Sequence, residues 1–199
     1  MGHTPELEKA LNELKRITGL SMDISADTPM EEGQILQQIR CLCTAYKEKY
    51  NKADFLQSLM VNGIPSYDIN ERAARLHIAP DERRVLFLLD AKSLDEAVTE
   101  ILKNLFPAQT KTYLVPVGET NLAILRPLKA DEKPESMRKI ANTIVDTLNT
   151  EALAHVQVSY SSVIENLADL SGAFRVTSLA VKVGKLFYSE QTVFPYNEL

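Results

Sequence analysis

The chain contains no tryptophan, two cysteines, three histidines and seven glycines in 199 residues. Each shortage removes a class of explanation. Cys41 and Cys43 sit two apart on what reads as a helix, where their side chains diverge, so no disulfide framework staples the chain. They are expected to be reduced thiols of a cytoplasmic protein. His3, His77 and His155 stand alone, with no second His or Cys at ligand spacing, so no zinc site is expected. No apolar run reaches the roughly 18 residues of a transmembrane helix. The N-terminal Met1–Glu6 lacks a basic-then-apolar signal segment. Basic residues are the minority, 22 against 27 acidic, for a net charge of −5. That weighs against this chain gripping a nucleic-acid backbone, which needs a positive footprint. It leaves open binding by a region outside the chain.

What is present is an ordinary globular balance, 45% apolar and 25% charged. A chain of this length buries roughly 70% of its unfolded surface, enough for a core without staples. Two textures divide it. Residues 1–52 read as helix. Thr4 and Pro5 cap a first helix whose face is Leu7, Leu11, Leu14 and Ile17, with Gly19 as the stop. Met22 to Ser25 reads as an extended link. Thr28, Pro29 and Glu31 read as a capping box opening a second helix. Ile35, Ile39, Leu42, Tyr46, Lys49, Ala53, Leu56 and Met60 then recur in steps of four and three, the rhythm of a helix lying along a partner helix. Lys49 and Ala53 interrupt that seam, and Asn51 is a candidate kink. The expectation is a homodimer with segment 30–60 at or near the interface.

Residues 53–199 read as alternating helix and strand. Tyr67 to His77 is a short helix ended at Ile78 to Asp81. Arg84 to Asp90 is a continuous apolar run of strand length, hence a central strand. Ser93 to Glu96 reads as a capping box before a helix with Leu94, Ala97, Val98, Ile101, Leu102 and Leu105 inward; Pro107 closes it. Lys111–Val117 and Asn121–Arg126 read as hairpin strands around Gly118, Glu119 and Thr120. Asp131 to Asn149 is a helix, Val156 to Ser159 a strand. Ser162 to Glu165 reads as a further capping box before a helical stretch, Leu167–Phe187. Val193 and Phe194 form a last edge strand. The order is that of an α+β domain, β-α-β-β-α-β-α-β, with a mixed or antiparallel sheet, preceded by a helical segment.

The β-α-β-β-α-β order resembles that of nucleotide-cyclase catalytic domains, including the GGDEF type. Three stretches sharpen the resemblance. One is Val156 to Ser162, then Leu167, Leu170, Ala173, Ala180, Gly184 to Phe187 and Val193 to Leu199. The others are Phe55 to Met60 with Glu71 to Ile78, and Arg83 to Leu89. Together they resemble the GGDEF-like domain of bacterial PucR-type and sugar-diacid-regulator (CdaR)-type transcription regulators. In such regulators a helix-turn-helix follows soon after the segment similar to Phe194–Leu199. The resemblance therefore implies a regulatory fragment whose DNA-binding domain is absent from this chain, an unidentified small-molecule effector and no cofactor.

The catalytic reading fails on its chemistry. A GGDEF cyclase cradles phosphates on a glycine-rich hairpin and holds divalent metal with acidic groups. Here Val117 to Asn121 retains one glycine and one carboxylate. Asp90 and Glu119 read better as turn carboxylates than as a two-metal site. No catalytic, cofactor-binding or metal residue is assigned. Arg72 to Ile78 resembles the first helix of a helix-turn-helix, but Pro80 and an apolar strand follow where a recognition helix belongs. Cys41 lacks a nucleophile's context, and Ser159, Ser161 and Ser162 have no Gly-x-Ser-x-Gly elbow and read as caps. Arg138 and Lys139 read as a solvated face. Two alternatives stay open: a small-molecule-binding sensor domain, and a diverged nucleotide-binding enzyme.

Overall fold

A computed structural model of the protein describes residues 4–18, 32–61, 63–133 and 135–196. The expected stop at Gly19, the link at 22–25 and the capping box at 28–31 lie outside the described residues. Contacts divide the chain into Met1–Lys52 and Ala53–Leu199.

In the first unit, helix α1 (Pro5–Thr18) opens at Thr4, whose Oγ1 accepts from Leu7 N at 3.4 Å. Helix α2 (Glu32–Val61) runs through Asn51 without a break, so Asn51 does not end it. Leu7, Ala10 and Leu14 of α1 form a buried cluster with Ile35, Ile39 and Cys43 of α2. These α2 positions recur every four residues, one side of a straight helix. Leu42 lies outside this intrachain cluster, 51% exposed, and Cys43 is the residue that faces α1. Both cysteines are free thiols, Cys41 exposed and Cys43 buried.

The second unit is a five-stranded mixed sheet in the order β2-β3-β1-β4-β5. Its elements run α3 (Ser66–Arg75), β1 (Arg84–Ala91), α4 (Glu96–Leu105), β2 (Tyr113–Pro116), β3 (Asn121–Pro127), α5 (Glu135–Glu151), β4 (Val156–Tyr160), α6 (Leu170–Phe187) and β5 (Val193–Pro195). Strand β1 is the centre, antiparallel to both β3 and β4; β5 joins β4 in parallel. Alternation along β1 decides the two layers. Val85, Phe87, Leu89 and Ala91 face a core with Val98 and Leu102 of α4 and Met137, Ala141, Ile144, Val145 and Leu148 of α5. Leu86 and Leu88 face the other core, built from Phe55, Leu56, Leu59 and Met60 of α2, Ile69 and Ala73 of α3, and Leu170 and Val181 of α6. Leu56 and Met60, read as seam residues, are therefore core residues of the domain.

Several local expectations are corrected. Ser93 does not cap α4; Asp95 does, its Oδ1 accepting from Val98 N at 3.0 Å, and Ala97 is exposed. Helix α5 starts at Glu135 rather than Asp131. Ser162 opens no helix. A 3-10 turn (Leu167–Asp169) capped by Asn166 leads into α6. The serines stitch layers instead: Leu86 N donates to Ser161 Oγ at 3.1 Å, and Ser159 Oγ donates to Thr177 O at 2.8 Å. Buried hydroxyls so satisfied add order without a desolvation cost. The run Arg84–Asp90 also hides a charge. Arg84 is 1% exposed, its guanidinium donating to Ala79 O at 2.8 Å and Glu82 O at 3.0 Å and pairing with Glu82 Oε2 at 2.6 Å. Burial lowers the Arg84 pKa below its ordinary value, against the pull of Glu82; burial raises that of Tyr113, against the pull of Arg84.

Candidate functional site

The end of β1 gathers the polar groups. Asp90 stands on the face of β1 shared by Leu86 and Leu88, the face that α6 covers. Its register partners are Asn121 on β3 and Gln157 on β4. Asn121 Nδ2 donates to Asp90 Oδ2 at 2.9 Å. Lys185, in the last turn of α6, donates from Nζ to Asp90 Oδ1. Both carboxylate oxygens are thus held by protein donors.

Gly184 explains how the lysine arrives. A Cβ at this position would lie 2.5 Å from the Phe194 ring of β5. Glycine costs a helix interior about 1 kcal/mol relative to alanine. Here it lets α6 settle onto Phe194, which is fully buried, and sets the next side chain above Asp90.

A cavity of about 440 Å³ opens beside this pair at the same end of the sheet. Asp90, Lys92, Asn149, His155, Lys185 and Thr192 are among its walls. Asn149 Oδ1 is buried there without a hydrogen-bond partner. The wall carries the ammonium groups of Lys92 and Lys185 against the single carboxylate of Asp90, so it suits a polar anion better than a cation. Among the described residues, no group of three or more His, Cys, Asp or Glu is arranged to hold a metal. A divalent cation at Asp90 would meet the Lys185 ammonium.

The structure scatters the other residues weighed from sequence. Glu119 is exposed on the β2–β3 turn, where Val117 N donates to Asn121 O at 3.0 Å. His77 ends α3 with φ +54° and is exposed. Arg72 pairs with Asp68 and lies 5.2 Å over the Phe55 ring; Arg75 pairs with Glu71. The α3 arginines are thus engaged by their own surroundings. His3 lies outside the described residues. His155, read as isolated, is brought to the cavity wall, and Lys185 and Asn121 were not singled out at all. The signal that pointed to Lys185 was the glycine before it, since a helix-interior glycine often marks close packing.

Comparison with known proteins gives the fold a family. No curated protein matches the chain. A solved structure described as "A Novel Interaction Mode between a Microbial GGDEF Domain and the Bis-(3, 5)-cyclic di-GMP" is similar over 74% of this chain and 89% of that one, with 16% identity and a TM-score of 0.40. The family model described as GGDEF-like domain matches residues 62–183, from the end of α2 into the last turns of α6, and the chain belongs to that family.

Proposed function

We propose that this GGDEF-like domain is a non-catalytic regulatory module of a bacterial PucR- or CdaR-type transcription regulator. It relays a signal to a DNA-binding domain outside the present chain. The carrying observation is the occupation of Asp90: Lys185 takes one carboxylate oxygen and Asn121 the other. Phosphoryl transfer by acidic metal sites needs carboxylates turned toward cations. Here the Lys185 ammonium engages Asp90 instead, and the adjacent hairpin offers Gly118 as its one glycine and Glu119 as its one carboxylate. The test is incubation with guanosine triphosphate and magnesium or manganese, followed by chromatography of the products. No turnover is expected. Turnover that disappears in Asp90→Ala or Glu119→Ala overturns the reading.

A sensor role for the same domain is supported by the cavity, whose walls include Lys92, Asn149 and Thr192. A ligand offering negative charge to Lys92 fits the wall. Thermal shifts with a panel of phosphorylated and carboxylated metabolites test it, with Lys92→Ala and Asn149→Ala expected to remove any shift found.

A further inference from the structure

Helix α6 carries a surface that neither Asp90 nor the cavity uses. One side of it is the domain core: Leu170, Thr177, Ala180, Val181 and Gly184 are buried. The other side is apolar as well. Val176 is 46% exposed, Leu179 61% and Leu186 77%, with Val183 half-buried between them. These four positions advance by three, four and three, so they form one continuous stripe about 15 Å long. Phe187, 74% exposed, extends the stripe at its C-terminal end. The exposed apolar area is on the order of 500 Å², at the upper end of what a monomer shows without a use for it.

Charge defines what fits the stripe. Helix α6 contains Arg175, Lys182 and Lys185 and no acidic residue, on a chain whose net charge is −5. Lys185 is turned to Asp90. Arg175 and Lys182 are seven residues apart, which puts them on one edge of the stripe, two turns from each other. An apolar stripe stepped by three and four and edged by one sign of charge is half of a helix–helix seam. A second copy of α6 would bring its own arginine and lysine against this edge. A stable dimer of folded domains also buries roughly 800 Å² per partner, more than this stripe offers. A lipid surface is disfavoured because two cations fall short of the basic cluster of about four to eight that recognises an anionic leaflet, and the chain as a whole is net acidic.

We infer that the exposed face of α6 is a docking surface for an acidic amphipathic helix of another polypeptide, its apolar side on Val176, Leu179, Val183 and Leu186 and its carboxylates on Arg175 and Lys182. The inference is independent of whether the Asp90 end binds or transforms anything.

The experiment uses the full chain and two synthetic helical peptides with the same leucine spacing, one flanked by glutamates and one by lysines. Fluorescence anisotropy is expected to give micromolar affinity for the acidic peptide and at least about tenfold weaker binding of the basic one. Leu179→Asp is expected to lose at least about tenfold for the acidic peptide. Leu179 is exposed, so circular dichroism should show an unchanged fold. Should that variant fail to fold, Arg175→Glu with Lys182→Glu decides, since it is expected to invert the preference between the peptides. Equal affinity for both peptides, or none for the acidic one, overturns the proposal. So does self-association that Leu179→Asp abolishes, which would make a second copy the occupant. Binding to phosphatidylserine vesicles lost in the same variant would make it a membrane surface and overturn the proposal too.

Discussion

Lys185 Nζ lies 2.5 Å from Asp90 Oδ1, a contact that joins the last turn of α6 to the end of the central strand across 95 positions of sequence. The pair is unequal: the lysine side chain is 48% exposed and the aspartate 16%. Removing either end therefore has different consequences. Asp90→Asn keeps a polar group beside Asn121 and leaves a solvated lysine. Lys185→Met leaves a largely covered carboxylate held by Asn121. Partly exposed pairs contribute about 1 kcal/mol or less. Urea unfolding is expected to show Asp90→Asn close to the unmodified protein and Lys185→Met less stable, with the double variant resembling Asp90→Asn. A Lys185→Met variant as stable as the unmodified protein would show that the carboxylate gains nothing from the lysine.

Gly184→Ala places a methyl group where the Phe194 ring already stands. Overpacking a filled site costs typically 1–3 kcal/mol, about 1 kcal/mol of which is offset by the better helix propensity of alanine. A net loss of up to about 2 kcal/mol is expected in urea denaturation. Gly184→Ala with Phe194→Leu should lose less than the two single variants added together, because the smaller side chain makes room for the methyl. Simple additivity would show that the two sites do not press on each other.

Much of this fold was legible because apolar pattern and strand length agree. The run at 84–90 had to be a central strand, and it is, flanked by partners on both edges. The pattern said nothing of Arg84, whose guanidinium donates to the carbonyls of Ala79 and Glu82 in the preceding turn. Capping boxes misled where a better cap stood nearby. Asp95 outcompetes Ser93, and Asn166 takes the place expected of Ser162. In α2 the heptad rhythm pointed at Leu42, but a straight helix drifts from a seven-residue repeat, and Cys43 is the residue that meets α1. The candidate site was the least legible part. Asp90, Asn121, His155 and Lys185 come from separate elements, and no local spacing connects them.

Glu132 provides a pH test. Burial pushes its carboxyl up, but hydrogen bonds from Arg126 and from Lys129 N, with the charges of both residues, outweigh burial and hold its pKa below the ordinary value. Arg126 Nη1 lies 2.9 Å from Glu132 Oε1, and both side chains are largely covered. A depressed folded-state pKa means that the folded state favours the ionised form. The resulting stabilisation is present above the unfolded carboxylate pKa and disappears as pH falls through the folded one. Glu132→Gln is therefore expected to be less stable than the unmodified protein at neutral pH, with the gap closing in acid. Urea midpoints measured across that range check it, and a gap that stays constant with pH would rule out ionisation as its source.

The helical unit makes opposite demands on two neighbouring residues. Ile39 is 1% exposed against α1, whereas Leu42 is 51% exposed on the same helix. A glutamate at 39 puts a charge into the apolar α1–α2 cluster of Leu7, Leu14, Ile35 and Cys43, which is costly. Ile39→Glu is expected to lower helix content and unfold the first unit. A glutamate at 42 meets water and should leave the helix content unchanged. The two variants therefore separate folding of this unit from assembly through it. We expect the unmodified chain to be a homodimer through segment 30–60, in which Leu42, left outside the intrachain cluster, supplies apolar surface for the second copy. Light scattering at about 50 µM should then report a dimer for the unmodified chain, since a useful interface holds at that concentration. Leu42→Glu should give a monomer with native circular dichroism. A monomeric unmodified chain at that concentration, or a dimer that survives Leu42→Glu, would remove this face of α2 from any role in assembly.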